Sequence, residues 1–248
     1  MRIEKWRIYS FVVSRKRPEG GFSFAETTPA TLEDTYYALQ ILKELKARHD
    51  CRKIRKFICA FYDDKLQPKQ AFQIISITSA CRISRKEFLK KIKEAILKRS
   101  NDIESLYYSA KTAKMLKNSQ LIRHTKRNLS LYRPKNGYLQ ELCWQTTAMK
   151  ILGMKFDERD YAEKIVKFQN ADGGFGMRKH STSFLENAYL ATEALNMIKS
   201  VPKDVKKYIR FVQSCKSSNG AYGRNIHAIP TLEYTYYAIS TMKKLNKN

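Results

Sequence analysis

Apolar residues recur at helical spacing in segment after segment of this chain. Tyr236, Ile239, Met242 and Leu245 return every three residues, as do Tyr107, Ala110, Ala113 and Leu116, and a stripe of that period is the buried face of an α-helix. Stretches of this kind open on a Glu and an aromatic residue and read as inner helices. Between them lie more highly charged segments. Trp6, Tyr9 and Val13, then Ile165 and Phe168, then Tyr208, Phe211 and Val212 fall on single faces opposed by Lys and Arg, and these segments read as outer helices.

The alternation repeats as a unit. Residues 20–45, 173–198 and 219–245 each carry a Gly-rich turn, a polar loop, a Glu and an aromatic-led helix. The Glu recurs as Glu33, Glu104, Glu141, Glu186 and Glu233, at intervals of 71, 37, 45 and 47 residues. The wide first interval hides a degenerate copy, QPKQAFQIIS, with Lys69 in the Glu slot and Phe72 in the aromatic slot. Six helical hairpins result, about twelve helices in one all-α domain over residues 1–248. Their inner helices are predicted to begin after Thr31, Gln67, Asn101, Tyr138, Thr182 and Thr231. Ser183 with Glu186 fits a capping box, and Pro29 and Pro230 precede inner helices where a missing N–H costs little. Open solenoids carry polar capping units at their ends. Here the first and last units are complete copies, which predicts a closed ring.

Composition adds limits. With 248 residues, 43% of them hydrophobic, the chain can bury one sizeable core. No linker divides it. The N-terminal apolar run Phe11–Val13 is too short for a signal peptide or membrane span, so the chain reads as cytoplasmic and not transmembrane. Its five cysteines are odd in number, scattered and without a CxxC pair, which points to reduced, packed thiols. The four histidines fall in different segments, and the sequence suggests no metal site.

The phrase GGF, loop, Leu-Glu-x-x-Tyr-Tyr-Ala resembles the repeat of protein prenyltransferase β subunits and of squalene and terpene cyclases. QNADGGF at 169–175 and DIESLYYSA at 102–110 carry the likeness most closely. The resemblance implies an α/α toroid of six hairpins around a deep aromatic cavity. It also implies sites that can be checked one by one. The family's zinc ligands, an Asp, a Cys and a His that activate an acceptor thiol, fall here on Glu186, Ala188 and Tyr236, so no cofactor and no zinc-dependent thiol prenylation is expected. Its clamp on an isoprenoid diphosphate is matched by Arg178 and Tyr189, while the His slot is Glu141; Lys179 and His180 extend the same loop, and Arg224 lies in the equivalent loop of the last unit. The acid motif of the cyclases is reduced to Asp63-Asp64.

Two features recur whatever the family. The carboxylates Glu33, Glu104, Glu141, Glu186 and Glu233 sit where an acid stabilises a helix N-terminus; gathered at one mouth of a ring, they would also attract a cation and raise one another's pKa. The aromatic stripe at Tyr36, Tyr37, Tyr107, Tyr108, Trp144, Tyr189, Tyr236 and Tyr237 implies a lumen suited to an apolar chain or a cation, with one member of each Tyr-Tyr pair facing inward.

Charge opens a further possibility. The net charge is +25, and residues 82–135 alone hold sixteen Lys and Arg against Glu87, Glu94, Asp102 and Glu104. A basic outer helix around Arg85, Lys86, Lys90, Lys91, Lys93 and Lys98 could meet an acidic membrane, nucleic acid or an acidic protein. Two readings stay open: a prenyltransferase-like transferase or transferase subunit handling an isoprenoid diphosphate, and a non-catalytic module that docks a helical protein or a polyanion.

Overall fold

The computed structural model describes residues 2–60, 65–84, 86–99, 101–134 and 136–245. Asp63, Asp64, Arg85 and Lys135 lie outside them. The described residues form twelve α-helices: α1 (Arg2–Ser14), α2 (Leu32–Leu45), α3 (Cys51–Ala60), α4 (Pro68–Ala80), α5 (Lys86–Arg99), α6 (Ile103–Met115), α7 (Ser119–Leu131), α8 (Leu139–Ile151), α9 (Glu158–Val166), α10 (Leu185–Met197), α11 (Val205–Ser214) and α12 (Leu232–Leu245). None is long and apolar enough to cross a membrane.

Each even-numbered helix packs on its even-numbered neighbours, and α12 packs back on α2, so the six inner helices close into a ring. The odd-numbered helices form the outer layer. The degenerate copy is a full inner helix, α4, started by a reciprocal Gln67/Gln70 capping box. First and last units share one local design. Thr35 Oγ1 accepts from Phe22 N at 3.0 Å and donates to Thr31 O at 2.6 Å, and Thr235 repeats both bonds with Tyr222 N and Thr231 O at the same distances. A two-residue ribbon, β1 (Tyr222–Gly223) against β2 (Pro230–Thr231), ties the last turn to the start of α12.

The Gly-rich turns explain how the units dock. Gly173 (φ +91°) lies so close to α11 that a Cβ would stand 2.3 Å from the Lys207 carbonyl carbon, and Gly220 (φ +87°) would meet Arg7 of α1 at 2.7 Å. Only glycine tolerates both the left-handed backbone and the close approach. The second contact joins unit six to unit one.

Two local expectations fail. The fifth inner helix starts at Leu185 behind Phe184, with no side-chain cap, because Ser183 Oγ donates to Asp172 and accepts from Asn170, both at 2.9 Å. In α1 the buried residues are Ile8, Phe11 and Val12, whereas Trp6, Tyr9 and Val13 face outward. Both sets keep helical spacing, so the period alone does not choose between them; Ile8, Phe11 and Val12 are on the face that packs into the core with α2.

Candidate functional site

Because the inner helices run side by side around the ring, equivalent positions on each meet in the lumen. Their N-terminal halves enclose a cavity of about 200 Å³ lined by Tyr36, Tyr37, Tyr107, Tyr108, Trp144, Tyr189, Tyr236 and Tyr237 together with Lys69, Glu104, Glu186 and Glu233. Both members of every Tyr-Tyr pair reach it, contrary to the one-in, one-out expectation. In so narrow a ring, positions 100° apart on a helix flank the inward direction equally. Tyr189 stacks on Tyr237 with centroids 4.3 Å apart, and Tyr36 lies edge-on to Phe72 at 5.7 Å and to Tyr236 at 6.3 Å.

The acids at this mouth have unequal partners. Glu33 pairs with Lys69 at 2.6 Å. Glu186 is held by Arg224 through Nε and Nη2, at 3.0 and 2.6 Å, and accepts from Tyr234 Oη at 3.2 Å. Glu233 accepts from Tyr37 and Tyr237, each at 2.8 Å. Glu104 has no hydrogen-bonding partner among the described residues; burial first, then Asp102, Glu33 and Glu233, push its carboxyl above the ordinary range against the pull of Lys69. Burial also raises Glu233, with its two tyrosine hydroxyls opposing the rise. Glu141 does not join the ring. Its carboxylate is buried and turned outward, accepting from Asn136 N at 3.0 Å and Tyr132 Oη at 3.2 Å; Gln140 takes its place at the lumen.

Deeper in, the lumen is crossed by an ion cluster that spacing alone did not disclose. Glu193 of α10 accepts from Lys244 at 2.6 Å, from Tyr107 Oη at 3.0 Å and from Lys111 at 3.4 Å. Lys111 Nζ lies 4.8 and 4.7 Å from the Phe72 and Tyr107 ring centroids. Burial opposes ionisation of Glu193, but Lys111 and Lys244 outweigh it and hold the carboxyl below the usual carboxylate range. Beyond this plug the C-terminal halves of α2, α4 and α6 open a second compartment of about 730 Å³, with apolar walls from Leu39, Phe72, Ala80, Met115 and Ile151 and a basic lining of Lys43, His49, Lys111 and Lys114.

The loop residues lie elsewhere. Arg178 stacks on Tyr138 with its guanidinium 4.8 Å from the ring centre and donates to its hydroxyl at 2.5 Å. Lys179 and His180 are exposed. None of the three lines the lumen, and Arg224 is committed to Glu186 and to the Phe184 ring, 3.9 Å away.

Six inner and six outer helices around an aromatic lumen define the prenyltransferase-type α/α toroid, and this is the fold of the chain. Residues 135–248 match the family model of the prenyltransferase alpha-alpha toroid domain, and residues 16–128 match that of the Ribophorin II N-terminal domain. Helices on both sides of that division share one ring, since α6 packs on α8. The structure is similar to that of Candida albicans protein geranylgeranyltransferase-I complexed with GGPP, with a TM-score of 0.70 over 99% of this chain and 90% of that one at 14% identity. At that identity the likeness establishes the fold alone. No curated protein matches the chain by sequence.

Proposed function

We propose that this toroid binds an apolar chain with an anionic head group, of the isoprenoid diphosphate class, in the compartment at the C-terminal ends of its inner helices. The observation that carries the reading is the contrast in size and lining. The N-terminal cavity falls below the roughly 300–1,000 Å³ of small-molecule sites and is walled by carboxylates, whereas the C-terminal one falls within that range. Carbonyl dipoles at helix C-termini oppose an anion with about half a charge each, and the full charges of Lys43 and Lys114 outweigh them. The complex of the similar geranylgeranyltransferase with GGPP supports the ligand class.

Zinc-dependent thiol prenylation is not part of this proposal. At the positions of the family's zinc, Glu186 is engaged by Arg224 and Tyr234, Ala188 is fully buried and offers no donor, and Tyr236 belongs to the aromatic cluster. These residues do not fit the ion.

Calorimetric titration of geranylgeranyl diphosphate and geranylgeraniol into the full chain tests the reading. The diphosphate should bind at least tenfold more tightly than the alcohol. Lys114→Glu should weaken it about tenfold, a 1.4 kcal/mol effect, Met115→Trp should block it by filling the compartment, and Arg178→Ala should change it less than twofold. Absence of binding, or sensitivity to Arg178 but not to Lys114, rejects the proposal.

A second reading rests on the exterior. Lys86, Lys90, Lys93 and Lys98 of α5 are exposed, while Lys91 of the same helix is half-buried, and this face suits docking on an acidic surface.

A further inference from the structure

Among the described residues, one group of His, Cys, Asp and Glu side chains brings its donor atoms close enough to share a metal ion. It consists of His49, Cys51 and Cys81, whose ligand atoms all lie within 4.8 Å of one another. They come from three places in the fold: His49 from the connection after α2, Cys51 from the first residue of α3 and Cys81 from the C-cap of α4. The imidazole Nε2 is 4.0 Å from Cys81 Sγ, and Nδ1 of the same ring is buried without a hydrogen-bond partner among the described residues. A packed thiol needs no explanation, since free cysteine behaves as a small hydrophobe. A buried ring nitrogen left unsatisfied does, because it costs about 1–3 kcal/mol.

We propose that His49, Cys51 and Cys81 are three ligands of a zinc ion. Two thiolates and an imidazole are a borderline-soft donor set that suits zinc and not the hard cations magnesium or calcium. With Zn–S near 2.3 Å and Zn–N near 2.0–2.1 Å, tetrahedral ligand atoms stand about 3.6–3.8 Å apart. The present separations need to contract by about 1 Å or less, a change that small side-chain rotations supply. On binding, the two thiols release their protons to solvent and the ion bonds to two thiolates and a neutral imidazole, with no change of oxidation state. His49 also lines the C-terminal compartment, so the fourth tetrahedral position is approached from that side and is filled by water in the absence of another ligand. The site ties the link after α2 to the first residue of α3 and the C-cap of α4, at the C-terminal end of the lumen and away from Glu186 at its N-terminal mouth. It does not depend on any ligand in the compartment.

The test uses the full chain, purified under reducing conditions, stripped with chelator and titrated with zinc against a chromophoric competitor, then with cobalt. One zinc per chain should bind with sub-micromolar affinity and release about two protons, and cobalt should give the intense visible bands of a tetrahedral thiolate site. Cys51→Ser and Cys81→Ser should each weaken binding at least a hundredfold and His49→Gln at least tenfold, while Cys59→Ser leaves it unchanged. Should the cysteine variants fail to fold, the wild-type chain still decides: zinc should protect Cys51 and Cys81 from alkylation and leave the exposed Cys59 reactive. No zinc uptake at micromolar metal, undiminished uptake by either folded cysteine variant, a weak octahedral cobalt spectrum, equal alkylation with and without zinc, or a Cys51–Cys81 disulfide under the same conditions would overturn the assignment.

Discussion

The N-terminal mouth of the lumen and the plug beneath it both bury glutamates among tyrosines, yet they treat the charge in opposite ways. At the mouth, Glu33, Glu104 and Glu233 gather around Lys69 while Arg224 is taken up by Glu186, and the Glu104 and Glu233 carboxyls are raised. In the plug, two lysines and a tyrosine hydroxyl converge on Glu193, and its carboxyl is lowered. Burial acts in the same direction at all three. The number of cations per carboxylate decides the sign, and it makes the plug a structural cross-brace between α6, α10 and α12 while leaving the mouth electrostatically strained.

The largest effect should come from breaking the brace. Glu193→Gln leaves Lys111 and Lys244 facing each other without their acid and should cost about 3 kcal/mol in denaturant unfolding. A cost below 1 kcal/mol would mean that the plug is not a brace. Because the folded-state pKa of Glu193 is depressed, its stabilisation is present above the ordinary carboxylate pKa and is lost as pH falls through the lower folded value; the deficit of the variant should shrink in that acid range.

Next comes Lys69→Met, which removes the cation that the mouth shares. It should destabilise by about 1–2 kcal/mol at pH 7, and acidification toward pH 4–5 should recover part of the loss as the released carboxylates take up protons. Smaller and opposite in sign, Glu104→Gln should stabilise by roughly 1 kcal/mol or less at neutral pH. A carboxyl raised in the folded state costs stability as pH rises through its window, so this gain should vanish as pH falls below about 4. Destabilisation by Glu104→Gln at pH 7 would contradict the contrast between the two regions. Least of all, reversing Lys86, Lys90, Lys93 and Lys98 should shift unfolding by about 0.5 kcal/mol or less per site. If α5 docks on a polyanion, the same change should abolish a steeply salt-dependent affinity for acidic vesicles.

The elements were legible because their signals are local. The six-unit register, the helix periods and the place of the degenerate copy depend on residues within one hairpin, and α4 confirms the reading of Lys69 and Phe72 as displaced members of the repeat. What escaped is the choice of partner by polar side chains, both within a hairpin and across the ring. Ser183 reads as a cap until Asp172 and Asn170 compete for its hydroxyl, and Glu141 reads as luminal until Asn136 and Tyr132 draw it outward. Lys111 and Glu193 each lie four residues after a luminal tyrosine, Tyr107 and Tyr189, a helical spacing that could have pointed them to the lumen; nothing local marks them as a pair joined through Lys244. His49 and Cys51, two residues apart, are a short-range hint of a shared site, but Cys81, thirty residues on, completes the group only because the end of α4 folds back beside the start of α3.

The contact of Gly220 with α1 and of α12 with α2 has a kinetic side. An open array of hairpins can nucleate in any neighbouring pair and fray from either end, because each unit answers only to the next. A ring has no free unit to lose, and its final interface joins residues about two hundred positions apart in sequence. Closing that gap is slow, since contacts of such separation come late and cost chain entropy before they return any stability. Until α12 seats against α2, the aromatic faces of both stand open to water, and the interval before closure is when this chain is most exposed to aggregation.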